Sequence, residues 1–321
     1  PVPVSGLTGV VSITGGISHS LALKKDGTVW AWGSNANGQL GDGTTTDRYT
    51  PVPVSGLTGV KAIAGGTSHS LALKTDGTVW AWGQNENGEL GTGNTVDRVT
   101  PVQVSRLTGM TAINAGINYS LGVKSDGTAW GWGLNTVSQL GYDLPVGNPI
   151  PSPVGGLTGV AAISAGRAYS SALKSDGTVW AWGDNAYGQL GDGTTKDKYT
   201  PVQVSNLTGV VAIGGGANFN SALKSDATVW AWGANDNGQL GDNTLADKYT
   251  PVQVLGLTGV VAIDAMGAAI KALKSDGTVW AWGINSYGQI GDGTTTNRYT
   301  PVQVNGLNGV VAIAAGSRHS L

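Results

Sequence analysis

Apolar and polar positions alternate in short runs along the chain, with a period of two residues. In the first fifty residues, Leu21 and Leu23 fall on one side of such a run, and Ser20 falls on the other. Trp30 and Trp32 share one side of the next run. Successive side chains of a β-strand point to opposite faces, so this pattern predicts strands. No segment of helical length carries an apolar period of 3.6 residues.

Turn and edge signals divide each unit into about four strands. Asp26-Gly27 lies between the two alternating runs and predicts a tight hairpin, because glycine accepts the positive φ of such turns. The apolar run 10–16 precedes them. Residues 51–54 alternate proline and valine, and proline belongs at a sheet edge because it cannot donate to a ladder.

The pattern repeats every 50 residues without a gap. We expect one domain, 1–321, made of the units 1–50, 51–100, 101–150, 151–200, 201–250 and 251–300 and a partial unit 301–321. The 12 tryptophans form six pairs, which are Trp30/Trp32, Trp80/Trp82, Trp130/Trp132, Trp180/Trp182, Trp230/Trp232 and Trp280/Trp282. One sheet cannot bury both of its faces, so we expect these rings to be structural and to pack between successive sheets, where each removes about 150–250 Å² from water.

Several spaced residues of each unit together resemble a known repeat. They are Gly16-x-x-His19-Ser20-x-Ala22-Leu23, Asp26-Gly27-x-Val29, Trp32-Gly33-x-Asn35-x-x-Gly38-Gln39-Leu40-Gly41 and Pro51-x-x-Val54. The run resembles the regulator-of-chromosome-condensation repeat. The resemblance implies an all-β fold, a closed β-propeller of four-stranded blades, commonly seven.

The two ends of the sequence favour seven blades. Residues 1–4 correspond to an outer strand, and residues 310–321 correspond to an inner strand and the start of the next. Together they could form most of a seventh blade. A six-bladed or open arrangement with a frayed tail is the alternative, and association of several chains through these ends is a third. The sequence starts at Pro1, so we read it as a piece of a longer polypeptide.

Composition narrows the classes of partner. Only 12% of the residues are charged and the net charge is −2, which argues against nucleic-acid binding, since this needs clustered cations. The chain has no cysteine, which excludes disulfides and thiolate metal sites. No apolar stretch is long enough for a membrane-spanning helix. We expect a secreted or cell-surface bacterial protein without a cofactor.

The chemistry-bearing residues give no catalytic pattern. His19, His69 and His319 share one repeat position with Tyr119, Tyr169, Phe219 and Ala269, which favours a structural or rim-lining role over a metal site. The recurring segment 41–47 could supply calcium oxygens, but its spacing favours a polar turn, and Leu144-Pro145 interrupts it in unit 3. In unit 6, Met266, Ala269 and Lys271 depart from the pattern. Lys271 and Asp264 could be a bonded pair, although drift within one repeat is the simpler reading.

Two sets of loops vary while the frame stays constant, as expected of a binding surface on a rigid scaffold. One set contains positions 17–18 of each unit and the other positions 36–37. Aromatic and arginine side chains dominate interface energies. The predicted contacts are Tyr119, Arg167, Tyr169, Tyr187, Phe219 and Tyr287, with His19, His69 and His319 beside them.

The sequence favours a non-enzymatic scaffold that binds a protein partner or builds a cell surface. The resemblance also implies a second class, a guanine-nucleotide exchange factor for a small GTPase. A protein inhibitor of an enzyme is the third class, and an enzyme is the least favoured.

Overall fold

The computed structural model describes residues 1–143 and 147–321. Its strands are β1 (Val10–Gly15), β2 (His19–Lys24), β3 (Val29–Gly33), β4 (Arg48–Pro53), β5 (Val60–Gly65), β6 (His69–Lys74), β7 (Val79–Gly83), β8 (Arg98–Gln103), β9 (Met110–Ala115), β10 (Tyr119–Lys124), β11 (Ala129–Gly133), β12 (Asn148–Pro153), β13 (Val160–Ala165), β14 (Tyr169–Lys174), β15 (Val179–Gly183), β16 (Lys198–Gln203), β17 (Val210–Gly215), β18 (Phe219–Lys224), β19 (Val229–Gly233), β20 (Lys248–Gln253), β21 (Val260–Met266), β22 (Ala269–Lys274), β23 (Val279–Gly283) and β24 (Arg298–Gln303).

Each run of four consecutive strands forms one antiparallel sheet, with the strands in chain order. We number these sheets 1 to 6, from β1–β4 to β21–β24. The register in sheet 1 pairs Ser20 with Trp32 and Leu21 with Ala31, and every other sheet repeats it. In sheets 1 to 4 this register places the second tryptophan of the third strand opposite a serine of the second strand, and in sheets 5 and 6 opposite Asn220 and Ile270.

Local chemistry explains the turns. The hairpin between β2 and β3 closes where the amide of Gly27 donates to the carbonyl of Lys24 at 2.9 Å. Asp26 accepts from the amide and the hydroxyl of Thr28. Gly33 ends β3 with φ 108°, and a Cβ there would lie 2.6 Å from the carbonyl oxygen of Ser18. A side chain at Gly33 would therefore push β3 away from the loop before β2.

The expectation of seven blades is wrong. Within the described residues there are six four-stranded sheets, and Pro301–Leu321 adds no further sheet. Beyond β24 the only pairing is an isolated bridge between Ala315 and Ser320. This segment still lies between sheets 6 and 1, because His319 Nε2 is 3.0 Å from Ser20 Oγ. A seventh four-stranded blade would also need its outer strands, and the described residues supply no such strands between sheets 6 and 1.

Neighbouring sheets share their cores. Trp182 of sheet 4 packs against Leu121, Val123 and Leu140 of sheet 3, and the other four junctions between successive sheets are built in the same way. The apolar face of sheet 6 instead meets Leu307 and other residues of the final segment. We call the five shared cores the closed junctions. None of the described residues belongs to a helix that is long and apolar enough to cross a membrane.

Candidate functional site

One repeat position supplies a buried ring of aromatic side chains around the propeller. His19, His69, Tyr119, Tyr169 and Phe219 are each at most 1% exposed, and His319 is half-buried. Each ring lies over the glycine three residues before it, where a Cβ would overlap the ring. These residues were predicted as contacts at a rim, but the first five cannot touch a partner without a change in the fold.

The histidines link successive sheets through serine. His19 Nε2 is 3.0 Å from Ser70 Oγ, and Ser70 Oγ donates to the carbonyl of Gln39 at 2.8 Å. The serine uses its only proton in that bond, so His19 donates from Nε2. His69 and Ser120 repeat the pattern toward the carbonyl of Glu89. The ring nitrogen Nδ1 of each of the two histidines is buried without a hydrogen-bond partner in the described structure.

Burial keeps these histidines neutral. Burial, with a smaller contribution from His319, lowers the pKa of His19 to about 4. Burial, with a smaller contribution from His19, lowers the pKa of His69 to about 3. His19 and His69 each hold a serine of the next sheet, and His19 also lines an opening between sheets 6 and 1. These hydrogen bonds tie neighbouring sheets together.

The tyrosines of the ring also bridge sheets. The Tyr119 hydroxyl donates to the carbonyls of Gly166 and Tyr169, and the Tyr169 hydroxyl donates to those of Gly216 and Phe219. Burial raises the pKa of both phenols above its ordinary value. Histidine and tyrosine thus both link neighbouring sheets from this position, histidine through Nε2 and tyrosine through its hydroxyl.

Arg167 lies at the propeller axis. A cavity of about 80 Å³ is lined there by Ile17, Ile117, Arg167, Ala217 and Ser317, which come from the first variable loop set. The backbone amides of Ile17, Arg167 and Ala217 donate to carbonyls of the next unit. Arg167 is exposed, and the cavity has room for only a few water molecules.

The tryptophan pairs divide into two kinds. Trp82, Trp132, Trp182, Trp232 and Trp282 are fully buried, and each donates from Nε1 to the carbonyl of residue 39, 89, 139, 189 or 239 in the preceding unit. The first tryptophan of each pair is half-buried, and a lysine ammonium lies 4.8–5.7 Å from its ring centroid. Trp32 is half-buried, unlike its five equivalents.

The polar segment 41–47 folds around Asn35. The Asn35 side chain donates to Asp42 Oδ1 and to the carbonyls of Thr44 and Thr46. Burial alone would raise the pKa of Asp42, but hydrogen bonds from Thr44 and Arg48 outweigh it and the pKa is lowered. The Asp42 oxygens are thus engaged by donors within the loop. In unit 3, Leu144 and Pro145 lie outside the described residues.

Six exposed tyrosines occupy two repeat positions. Tyr187 and Tyr287 belong to the second variable loop set and were among the predicted contacts, whereas the other four begin the outer strands of their sheets. The exposed fractions are 96% for Tyr49, 44% for Tyr187, 62% for Tyr199, 47% for Tyr249, 63% for Tyr287 and 42% for Tyr299. We call these six residues the tyrosine belt.

The two positions of the belt meet between neighbouring sheets. A Cβ at Gly188 would overlap the ring of Tyr249, so Tyr249 of sheet 5 lies against the turn that carries Tyr187. Tyr299 lies in the same way against Gly238. The guanidinium of Arg318 is 5.2 Å from the ring of Tyr287. Sequence reasoning missed the four outer-strand tyrosines. Their signal was the recurring Tyr-Thr-Pro, because the proline marks an outer strand at the edge of its sheet.

The sequence matches one family model over nearly its whole length and two known proteins over short segments. The family model described as the RCC1-like domain matches residues 8–321. Arabidopsis thaliana ultraviolet-B receptor UVR8 is 45% identical over 53 residues, which are 16% of this chain and 12% of that protein. Human E3 ubiquitin-protein ligase HERC2 is 49% identical over 47 residues, 14% of this chain and 1% of that protein. The matched segments are thus a small part of both relatives.

Solved structures match the whole propeller. Yeast RCC1 (Prp20), solved in complex with Kap60, superposes with a TM-score of 0.87 and 22% identity over 97% of this chain and 79% of that one. Human WBSCR16 gives a TM-score of 0.87 and 24% identity over 97% of this chain and 85% of that one. A second structure of Prp20p, from Saccharomyces cerevisiae, is described with its binding to Gsp1p and histones. At these identities the likeness shows the fold alone.

Proposed function

The chain belongs to the RCC1-like domain family, and from that premise we propose that it is a non-enzymatic protein-binding scaffold whose contact surface is the tyrosine belt. The observation that carries the proposal is the exposure of six of the nine tyrosines at only two repeat positions. Tyrosine combines a large apolar ring with a hydroxyl and loses little side-chain entropy on binding, which is why it is enriched in interfaces.

The frame beneath the belt supports this role. Hydrogen bonds join the sheets below it, where the amide of Gly193 donates to the carbonyl of Tyr249 at 2.9 Å and Asn297 donates to Asn237 at 3.2 Å. Ion pairs hold the residues before the tyrosines, and Lys198 Nζ lies 3.0 Å from Asp192. A rigid frame lowers the entropy lost on binding.

Replacing two neighbouring belt residues tests the proposal. The double variant Tyr187→Ser/Tyr249→Ser should weaken binding of a captured partner at least about tenfold, because truncated interface hot spots each cost more than about 1 kcal/mol. The matched control is Val211→Ser, which removes an apolar side chain that is 54% exposed and lies outside the belt. Partners captured by the wild type are identified, and their affinities for all three proteins are measured by calorimetry.

The assay also separates the other classes. A partner bound equally by the double variant and the wild type would exclude the belt as the contact surface. Faster nucleotide release from a captured small GTPase would replace the scaffold by an exchange factor, and loss of activity in a captured enzyme would identify an inhibitor.

The bacterial source and the secreted or cell-surface location of the protein stay predictions. The relatives and neighbours named above come from a plant, yeast and human, so they give no support to a bacterial, extracellular origin. Fractionation of the source organism with an antibody to the chain would show whether the protein is exported.

A further inference from the structure

Four of the units hold an ion pair within the polar loop that follows their third strand. It joins the acid at position 42 of the unit to the cation at position 48. The nitrogen–oxygen distances are 2.5–3.3 Å in the pairs Asp42/Arg48, Asp192/Lys198, Asp242/Lys248 and Asp292/Arg298. In unit 1, Asp42 Oδ1 accepts from the amide of Thr44 at 2.9 Å, and Oδ2 accepts from Arg48 Nε at 2.8 Å. One carboxylate thus satisfies both the backbone of the loop and the cation that begins the outer strand.

Unit 2 keeps the cation but lacks the acid. Thr92 occupies the position of the aspartate, and Arg98 occupies the position of the cation. Arg98 forms no ion pair with any described residue, and its Nε is buried without a hydrogen-bond partner among them. Unit 3 has changed both positions, to Tyr142 and Asn148, and these side chains are hydrogen-bonded at 3.0 Å. Arg98 therefore carries a charge that its loop does not neutralise, since a guanidinium stays protonated in proteins.

The loop of unit 2 keeps the shape of the paired loops. Asn85 donates from its side chain to the carbonyls of Asn94 and Val96 at 2.9 and 3.1 Å, as the equivalent Asn35 does in unit 1. The amide of Asn94 is the counterpart of the amide that donates to the aspartate in unit 1, and it donates to no acceptor among the described residues. Two donors of the paired loop, one on Arg98 and one on Asn94, thus lack their carboxylate.

No neighbouring acid replaces the missing one. Asp97 accepts from the amide of Asn85 at 2.7 Å and forms no described ion pair with Arg98. Glu89 is fully buried and accepts from the amide of Asn87 at 2.8 Å. The guanidinium is therefore available to an acid from outside the chain. Its planar shape suits a carboxylate, because two of its N–H groups can donate to both oxygens.

We propose that Arg98 and the amide of Asn94 bind one carboxylate, which an acidic side chain of a protein partner supplies. An aspartate of the chain itself engages the equivalent donors in unit 1, so the ligand has the chemistry of a protein side chain. The surroundings suit a protein surface, since Val96 is 56% exposed and Val99 is 37% exposed. Val99 also occupies the repeat position of Tyr49 in the tyrosine belt. The choice of a protein ligand rests on the proposed function.

Short peptides test this site without a captured partner. Acetyl-Gly-Asp-Gly-amide carries one carboxylate, and acetyl-Gly-Asn-Gly-amide is its uncharged match. Nuclear magnetic resonance follows the Nε–H of Arg98 and the backbone amide of Asn94, and both signals should shift saturably with the aspartate peptide. Its affinity should exceed that of the asparagine peptide at least about tenfold, the size expected of a charge-assisted hydrogen bond. The Nε–H of Arg48 is already bound to Asp42 and should not shift.

Variants of the loop sharpen the test. Thr92→Asp supplies the acid from within the chain, as in unit 1, and should abolish the shifts caused by the peptide. Thr92→Ser keeps the hydroxyl and should bind the peptide as the wild type does. Arg98→Gln should lose the shift of the Asn94 amide. Arg98→Lys should retain part of it, because lysine pairs with the aspartate in units 4 and 5.

Three outcomes would overturn the site: absent shifts at Arg98, equal affinities for the two peptides, or shifts that persist in Thr92→Asp. Acetate is the free acid of the same chemistry. If it bound as tightly as the aspartate peptide, the site would belong to a small carboxylate and the role for a protein would be overturned. The peptide titration does not involve Tyr187 or Tyr249, so its failure would leave the test of the tyrosine belt unaffected.

Discussion

The closed junctions and the junction between sheets 6 and 1, which we call the sheet 6–sheet 1 cleft, are built from the same strand sequence with different outcomes. The segment Val-Trp-Ala-Trp-Gly forms β3 as well as β7, yet Trp82 is fully buried and donates to the carbonyl of Gln39, while Trp32 is half-buried. Tyr49 is 96% exposed, whereas Tyr249 and Tyr299, each against a preceding glycine turn, are 47% and 42% exposed. The difference shows that the burial of these aromatic side chains depends on the neighbouring sheet and not on their own strand.

The carbonyl of residue 39 is the polar centre of a closed junction. Gln39 accepts from Ser70 and Trp82, and Gln139 accepts from Ser170 and Trp182. At the cleft, Gln289 accepts from Ser320 alone among the described residues. Each closed junction therefore combines a buried indole with a hydrogen bond from that indole to the carbonyl. At the cleft the carbonyl of Gln289 has the serine hydrogen bond but no indole.

The largest expected difference concerns the two kinds of tryptophan. Trp182→Ala should lower the free energy of unfolding by about 3–5 kcal/mol, because it leaves a cavity and removes one of the two hydrogen bonds that the carbonyl of Gln139 accepts. Trp32→Ala should cost less, since part of its ring already contacts water. Urea denaturation of both variants measures this, and equal losses would break the contrast between closed and open junctions.

The second-largest effect is expected for the buried histidines, which should lower the free energy of unfolding as the pH falls. The pKa of His19 is about 4 in the folded chain and near 6.5 when unfolded, so below pH 6.5 the unfolded state binds a proton that the folded state does not. The stabilisation is complete above pH 6.5 and is lost as the pH falls toward 4, by about 3 kcal/mol for this residue. His69 acts in the same direction.

A matched pair of variants isolates this effect. His69→Tyr installs the residue found at Tyr119 and should flatten the fall in unfolding free energy between pH 6.5 and pH 4. His319→Tyr should change the slope less, because His319 is only half-buried beside the cleft. Equal slopes in the wild type and His69→Tyr would show that His69 does not titrate on unfolding.

The smallest effect is expected at Lys271. Lys271→Leu should raise the free energy of unfolding by about 1 kcal/mol at neutral pH, since it replaces a buried charge without a hydrogen-bond partner among the described residues by the leucine found at this position in units 1–3. Burial lowers the pKa of Lys271 to about 8 and Asp264 opposes that shift, so the gain should shrink above pH 8, where the lysine is neutral in the folded chain. A loss of stability in Lys271→Leu would mean that the ammonium has a stabilising partner.

The sequence by itself determined the strands, the hairpins and the period. Alternation over two residues, Asp-Gly turns and edge prolines are local signals, and they predicted the four strands of each sheet. It also showed that Met266 and Ala269 depart from the pattern together. Only the structure shows why they change together. In the other units the ring at position 19 lies on the glycine at position 16, so a side chain at position 16 would overlap it. In unit 6, Ala269 has no ring, and this leaves room for Met266.

Tertiary structure decided which of the equivalent residues are reachable and how many blades form. The repeat position of His19 and Tyr119 varies in residue type, as surface positions do, but packing of the neighbouring sheets buries both side chains. Trp32 and Trp82 have the same local sequence and different burial, because burial depends on residues 40 or more positions away in the adjacent sheet. Local pattern specifies a strand, whereas closure and exposure depend on what packs against it.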